Sequence, residues 1–189
     1  MKNKIKKLVA LKLGVAIAMF CSGFAFCDQA AVVDVVMTIQ ALTVQRVSDG
    51  SASIMAAPGT SKVMDRIVFK NDGNGAVNYA VKVASTTGSW TLVSSVPGAS
   101  EYRLSAIWHQ WDSKPSTSEF QANDILTASD QTSSDTILFN DNESHATTGV
   151  KGYNVPTNEE RNLYLKFDSP ASGTGSSTAH VNVTAIAIP

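Results

Sequence analysis

Cysteine is nearly absent from this chain of 189 residues: there are two, Cys21 and Cys27, and both fall within the first 27 positions. Residues 28–189 therefore hold no disulfide framework, no thiolate nucleophile and no Cys-type metal site. Aromatics are sparse at 7%, and the chain ends in Ile188-Pro189 rather than in an aromatic. That argues against an outer-membrane barrel, which needs aromatic girdles and longer lipid-facing strands. No helical periodicity of useful length follows residue 28, and no internal repeat or linker divides the chain. Basic residues are also few beyond the start. Five of the 15 Lys and Arg, and none of the 16 Asp and Glu, lie in residues 1–27, which leaves a net charge of −6 on the remainder. Such a balance argues against nucleic acid, whose binding needs a basic surface, and against anionic membranes.

What is present begins with an address. Lys2, Lys4, Lys6, Lys7 and Lys12 precede an apolar run from Leu13 to Phe20, followed by the small residues Ser22, Gly23 and Ala25. This is the layout of a bacterial secretory signal peptide. The run is shorter than the roughly 20 residues needed to span a bilayer. Cleavage after Ala25 or after Cys27 leaves small residues where the peptidase needs them, and we set the boundary after Cys27. A lipid on either cysteine is the rival reading, but Phe20 and Phe26 put bulk where a lipoprotein signal wants a small residue. The expected organisation is a signal peptide at 1–27 and one β-domain at 28–189, exported to the periplasm, cell surface or exterior, with no membrane span after cleavage. A chain of about 160 residues can bury a core without disulfides.

Period-two patterning dominates the remainder. Val33, Val35, Met37, Ile39 and Ala41 alternate along an apolar stretch that covers 30–44. Val63, Ile67 and Phe69 share a face. Val77, Tyr79, Val81 and Val83 alternate with Asn78, Ala80 and Lys82; Leu163, Leu165 and Phe167 alternate with Asn162, Tyr164 and Lys166; Val181, Val183, Ala185 and Ala187 repeat the pattern. These are half-buried antiparallel strands. Further strands are expected near 89–95, 102–111 and 135–140. Asn71-Asp72-Gly73-Asn74-Gly75 predicts a tight hairpin, since these residues tolerate positive φ. Thr86-Thr87-Gly88 and Pro97-Gly98 read as turns. Residues 112–134 are polar and predict a long excursion with little regular structure. Seven to nine short strands of this kind predict an all-β antiparallel sandwich.

Two segments resemble bacterial secreted immunoglobulin-like domains. Ile67-Val68-Phe69-Lys70-Asn71-Asp72-Gly73-Asn74-Gly75-Ala76-Val77-Asn78-Tyr79 is similar to the strand, N-x-G turn and strand of such modules. The stretch from Val155-Pro156-Thr157 to Leu165-Lys166-Phe167 is similar to the polar turn and strand before their last strand. The two cover a minority of the chain, and the inter-sheet cysteine pair of true immunoglobulin domains is missing. The resemblance implies a fold and not an activity.

Candidate sites are few. Trp90, Trp108 and Trp111 are the residues for a carbohydrate platform, because exposed rings stack on sugars; the plainer reading places at least one in the core. Trp108 and Trp111 cannot share a strand face. His109, His145 and His180 lack ligand spacing. Asn140, Asp141, Asn142 and Glu143 form an oxygen-rich run without the order of a calcium loop. No catalytic, cofactor or metal residue is nominated. The apolar strand near the new N-terminus can pair with its own sheet or with the open edge of a neighbour. The expectation is a non-enzymatic structural or adhesive protein that self-associates, or pairs with a surface protein, through an edge or N-terminal strand. A carbohydrate-binding module is the alternative.

Overall fold

A computed structural model describes residues 31–39, 44–46, 51–109, 113–138 and 152–188. The leader at 1–27, Trp111, His145 and the run Asn140–Glu143 lie outside the described residues. Among the described residues, eleven strands form two sheets: β1 (Ala31–Ile39), β2 (Val44–Arg46), β3 (Ser51–Ala56), β4 (Ser61–Val63), β5 (Ile67–Asn71), β6 (Val77–Gly88), β7 (Thr91–Leu92), β8 (Glu101–His109), β9 (Gln131–Thr132), β10 (Glu160–Asp168) and β11 (Ser176–Ala187). One sheet has the order β3-β1-β11-β6-β9, the other β2-β5-β10-β8-β7, with β4 also on β10. Together they make a β-sandwich. No described helix is long and apolar enough to cross a membrane.

The alternation in the sequence becomes the core. Phe69 from β5, Tyr79 and Val81 from β6, Leu104 and Trp108 from β8, Leu163, Leu165 and Phe167 from β10, and Val181 and Val183 from β11 meet between the sheets. Phe69 and Tyr79 pack on the Trp108 indole, with ring centroids 5.5 and 4.7 Å away. Such pairs add about 1 kcal/mol beyond their area burial. Gly152 seals this cluster, because a Cβ there would lie 2.2 Å from Trp108 Cδ1.

Five local expectations are corrected. Asn71–Gly75 does not turn a hairpin: β5 and β6 belong to different sheets, so the segment crosses between them. None of its residues has positive φ. Asn71, fully buried, shapes the crossing instead. Its Oδ1 accepts from Gly73 N at 3.1 Å, an Asx turn, while Nδ2 donates to Gly75 O at 2.8 Å and Val155 O at 2.9 Å. The strand expected at 89–95 reduces to Thr91–Leu92, since Trp90 N is taken by Ser177 Oγ and Pro97 follows. At 135–138 the chain bends rather than extends. Ser134 Oγ accepts from the N–H groups of Thr136 and Ile137, and Leu138 has φ 55°. A hydroxyl that bonds nearby backbone offers an alternative to the ladder. Gly88, read as a turn, is the last residue of β6.

The stretch at 30–44 is not one strand. β1 ends at Ile39 in one sheet, and Val44 opens β2 in the other.

Candidate functional site

Two places in the fold have features that a plain sandwich does not need. The first is the position of β1. It lies inside its sheet, antiparallel to β3 and parallel to the last strand, β11. The register sets Val33, Val35, Met37 and Ile39 level with four buried residues of β11, Ser177, Ala179, Val181 and Val183. On the other side Val33 is level with Ile54, also buried. Because β3 reaches this sheet through β1, removing β1 would expose a strand-long slot with unpaired backbone on both sides.

The second place is the outer face of the other sheet. Arg103 and Ser105 on β8, and Lys166 and Asp168 on β10, point away from the main core. Strand alternation predicts solvent there. Ser105, Lys166 and Asp168 are nevertheless buried. The excursion after β8 accounts for this. It folds back over the sheet in two short 3-10 turns, Thr117–Glu119 and Ala122–Asp124. Glu119 Oε1 accepts from Ser116 N at 2.8 Å and Asp124 Oδ2 from Gln121 N at 2.7 Å, which closes each turn. Leu126 N then donates to Leu104 O at 2.9 Å. Phe120 lands among Val63, Ile107 and Tyr164 and forms a small second core. Burying a ring of that size contributes about 2 kcal/mol.

Under this cover, each oxygen of Asp168 accepts a hydrogen bond. Oδ2 accepts from Arg103 Nε at 2.7 Å, and Oδ1 accepts from Ser61 Oγ at 2.5 Å. The Lys166 ammonium stands 3.8 Å from Asp168 Oδ1 and 5.5 Å from the centre of the Phe120 ring. Burial holds it below the usual lysine range, and Asp168 pulls the other way. Lys166 and Ser105 are directly opposite each other on adjacent strands. Both line a cavity of about 170 Å³, together with Arg103, Phe120, Gln121, Ala122 and Ile125.

A larger open groove, about 620 Å³, lies beside it, between Ala122, Ile125 and Ile137 and the polar residues Ser94, Asn123, Asp130 and Gln131. Its one charged group, Asp130, is paired with Lys82 at 2.9 Å. The smaller cavity is the chemically distinct one, because two cations line it.

Of the three tryptophans, Trp90 and Trp108 fall among the described residues, and Trp111 lies outside them. Trp108 is 0% exposed and Trp90 4%, so neither ring offers a face for a sugar to stack on. His109 is buried with its ring edge-on to Tyr164, and His180 lies across the molecule on β11. Among the described residues no three His, Cys, Asp or Glu side chains group as metal ligands. The covered patch was not visible in the sequence. Its one signal is Lys166 and Asp168, two charges in a strand whose every residue from Arg161 onward is buried.

No protein-family description matches this chain, and no curated protein matches it in sequence.

Proposed function

We propose that the protein is an exported, non-enzymatic β-sandwich of immunoglobulin-like type. It serves a structural or adhesive role as a subunit of an extracellular or cell-surface assembly. The leader layout and the thiol-free, acidic remainder support export. Parallel pairing of the first strand with the last, across strands that switch sheets, supports the immunoglobulin-like reading.

The observation that carries the assembly reading is β1. A short apolar strand near the expected N-terminus occupies an interior slot, where both neighbours bond to it. The same ladder is satisfied by β1 of a second copy, because backbone hydrogen bonds do not depend on which chain supplies them. Residues 40–43 link β1 to β2, so Ile39 and Val44 stand at most about 18 Å apart. An exchanged strand therefore comes from a neighbour held close, which favours a contiguous fibre or a tight dimer over a loose network.

The test is size-exclusion chromatography with light scattering, followed by electron microscopy of residues 28–189. Concentration-dependent oligomers or filaments are expected. A monomer at every concentration, without surface association in cells, would remove the assembly reading.

A further inference from the structure

We propose that the covered cavity between Arg103 and Lys166 is a binding site for a small monocarboxylate. This inference does not rest on the assembly reading.

The donors are in surplus. Arg103 spends Nε on Asp168 and keeps both terminal nitrogens without a protein partner among the described residues. Lys166 has three N–H groups, and its nearest carboxylate oxygen, at 3.8 Å, is beyond hydrogen-bond length. Asp168 does not make up the difference, because its Oδ1 stands 3.8 Å from the ammonium while its oxygens accept from Ser61 and Arg103. Ser105 Oγ is buried with no partner. A buried hydroxyl left unpaired is costly, and the Arg103 and Lys166 side chains, 20% and 10% exposed, keep N–H groups that a ligand can take over from water. One acceptor with two oxygens placed among Arg103, Ser105 and Lys166 satisfies groups on three side chains at once.

Charge and size narrow the ligand. Arg103 and Lys166 face Asp168 directly, and the charge of Asp124, which accepts from Gln121 N in the covering turn, also acts on Lys166. Two cations against two carboxylates leave no net charge to hold a dianion such as phosphate. A monoanion fits, because the surplus lies in hydrogen-bond donors rather than in charge. The cavity of about 170 Å³ has room for a carboxylate on a stem of a few carbons. Phe120, Ala122 and Ile125 supply an apolar wall for that stem. The same chemistry comes from a free short-chain acid or from the acidic side chain of a polypeptide.

The experiment is a heteronuclear NMR titration of the protein with propionate and, separately, with the blocked peptide Gly-Glu-Gly. Ionic strength is held constant with chloride so that screening does not change. Saturable shifts centred on Ser105, Phe120 and Lys166 are expected with at least one ligand. Propionate alone identifies a free acid, and the peptide alone identifies a polypeptide carboxylate. K166M should weaken binding about tenfold or more, and S105A several-fold, since each removes a bond to a charged partner. K114M, at an exposed pair with Asp65, should change nothing. S105A keeps the test open if K166M does not fold. No saturable shift with either ligand at 50 mM, ~50-fold above a millimolar Kd, would overturn the proposal. So would equal binding by the parent, K166M and S105A.

Discussion

Replacing Asn71 tests how the sheets are joined. Its side chain makes three hydrogen bonds inside a site with 0% exposure: to Gly73 N, Gly75 O and Val155 O. A net intramolecular hydrogen bond is worth about 1 kcal/mol, and an orphaned buried partner costs more. Val155 O keeps a second donor, Val77 N at 3.1 Å, so its loss is the mildest. Asn71→Ala should therefore cost about 2–3 kcal/mol. With a urea slope of about 2 kcal/mol/M, the midpoint falls by roughly 1–1.5 M at unchanged slope. Trp90 and Trp108 are buried, so their fluorescence reports the transition. Asn71→Asp sharpens the test, because it sets a carboxylate against two carbonyl oxygens. Burial and those dipoles raise its folded pKa above the unfolded value, roughly 3.9. The variant's deficit relative to the parent is then smallest below that unfolded value and grows as pH rises towards the folded pKa. An Ala variant within about 0.5 kcal/mol of the parent would refute the reasoning. So would an Asp variant whose deficit is the same at pH 4 and pH 7.

Four further outcomes follow from the packing. Gly152→Ala should cost about 3 kcal/mol or prevent folding, since its new methyl collides with the Trp108 ring; urea unfolding reads this. Tyr102→Phe should be neutral or stabilising by about 1 kcal/mol in the same assay, because the buried Tyr102 hydroxyl has no partner. Burial pushes the Tyr102 phenol up to about 12 and raises Tyr79 as well, so the folded state holds those protons more tightly than the unfolded state does. Stability should fall as pH rises from the unfolded value near 10 towards 12, and tyrosinate absorbance should appear together with unfolding. Lys166→Met should change stability by less than about 1 kcal/mol or increase it, whereas Asp168→Asn should cost about 3 kcal/mol by leaving Arg103 without its carboxylate; paired thermal melts measure both.

The sequence carried the long strands because their signal is local. Val77, Tyr79, Val81 and Val83 alternate over enough residues to fix both the period and the buried face. The same holds for Leu163, Leu165 and Phe167. What it did not carry depends on distant partners. A polar Asn-Gly segment signals that the chain turns after β5, but not which sheet receives β6. Strands of two or three residues, such as β7 and β9, are too short for a period and exist because a neighbour offers a ladder. The covered patch is the clearest case. Tyr164 and Lys166 have the spacing of a solvated face, and only the return of Pro115–Leu126 over the sheet buries them. The cavity at Lys166 therefore exists through a contact between segments some forty residues apart, with no motif at either end.

The claim with the widest consequence is that β1 can pair with another copy, and a cysteine pair addresses it directly. Residues 28–189 contain no cysteine, so Asp34→Cys with Ser53→Cys introduces the only two. These positions are directly opposite on β1 and β3, at the 4.5–5.5 Å Cα separation, roughly, of antiparallel neighbours that a disulfide can bridge. The chain is oxidised at low and at high concentration and run without reductant. Exchange of β1 predicts a covalent ladder of dimers and higher species that grows with concentration and collapses on reduction. A single intramolecular bond at every concentration would mean that β1 stays in its own sheet, and would contradict the account.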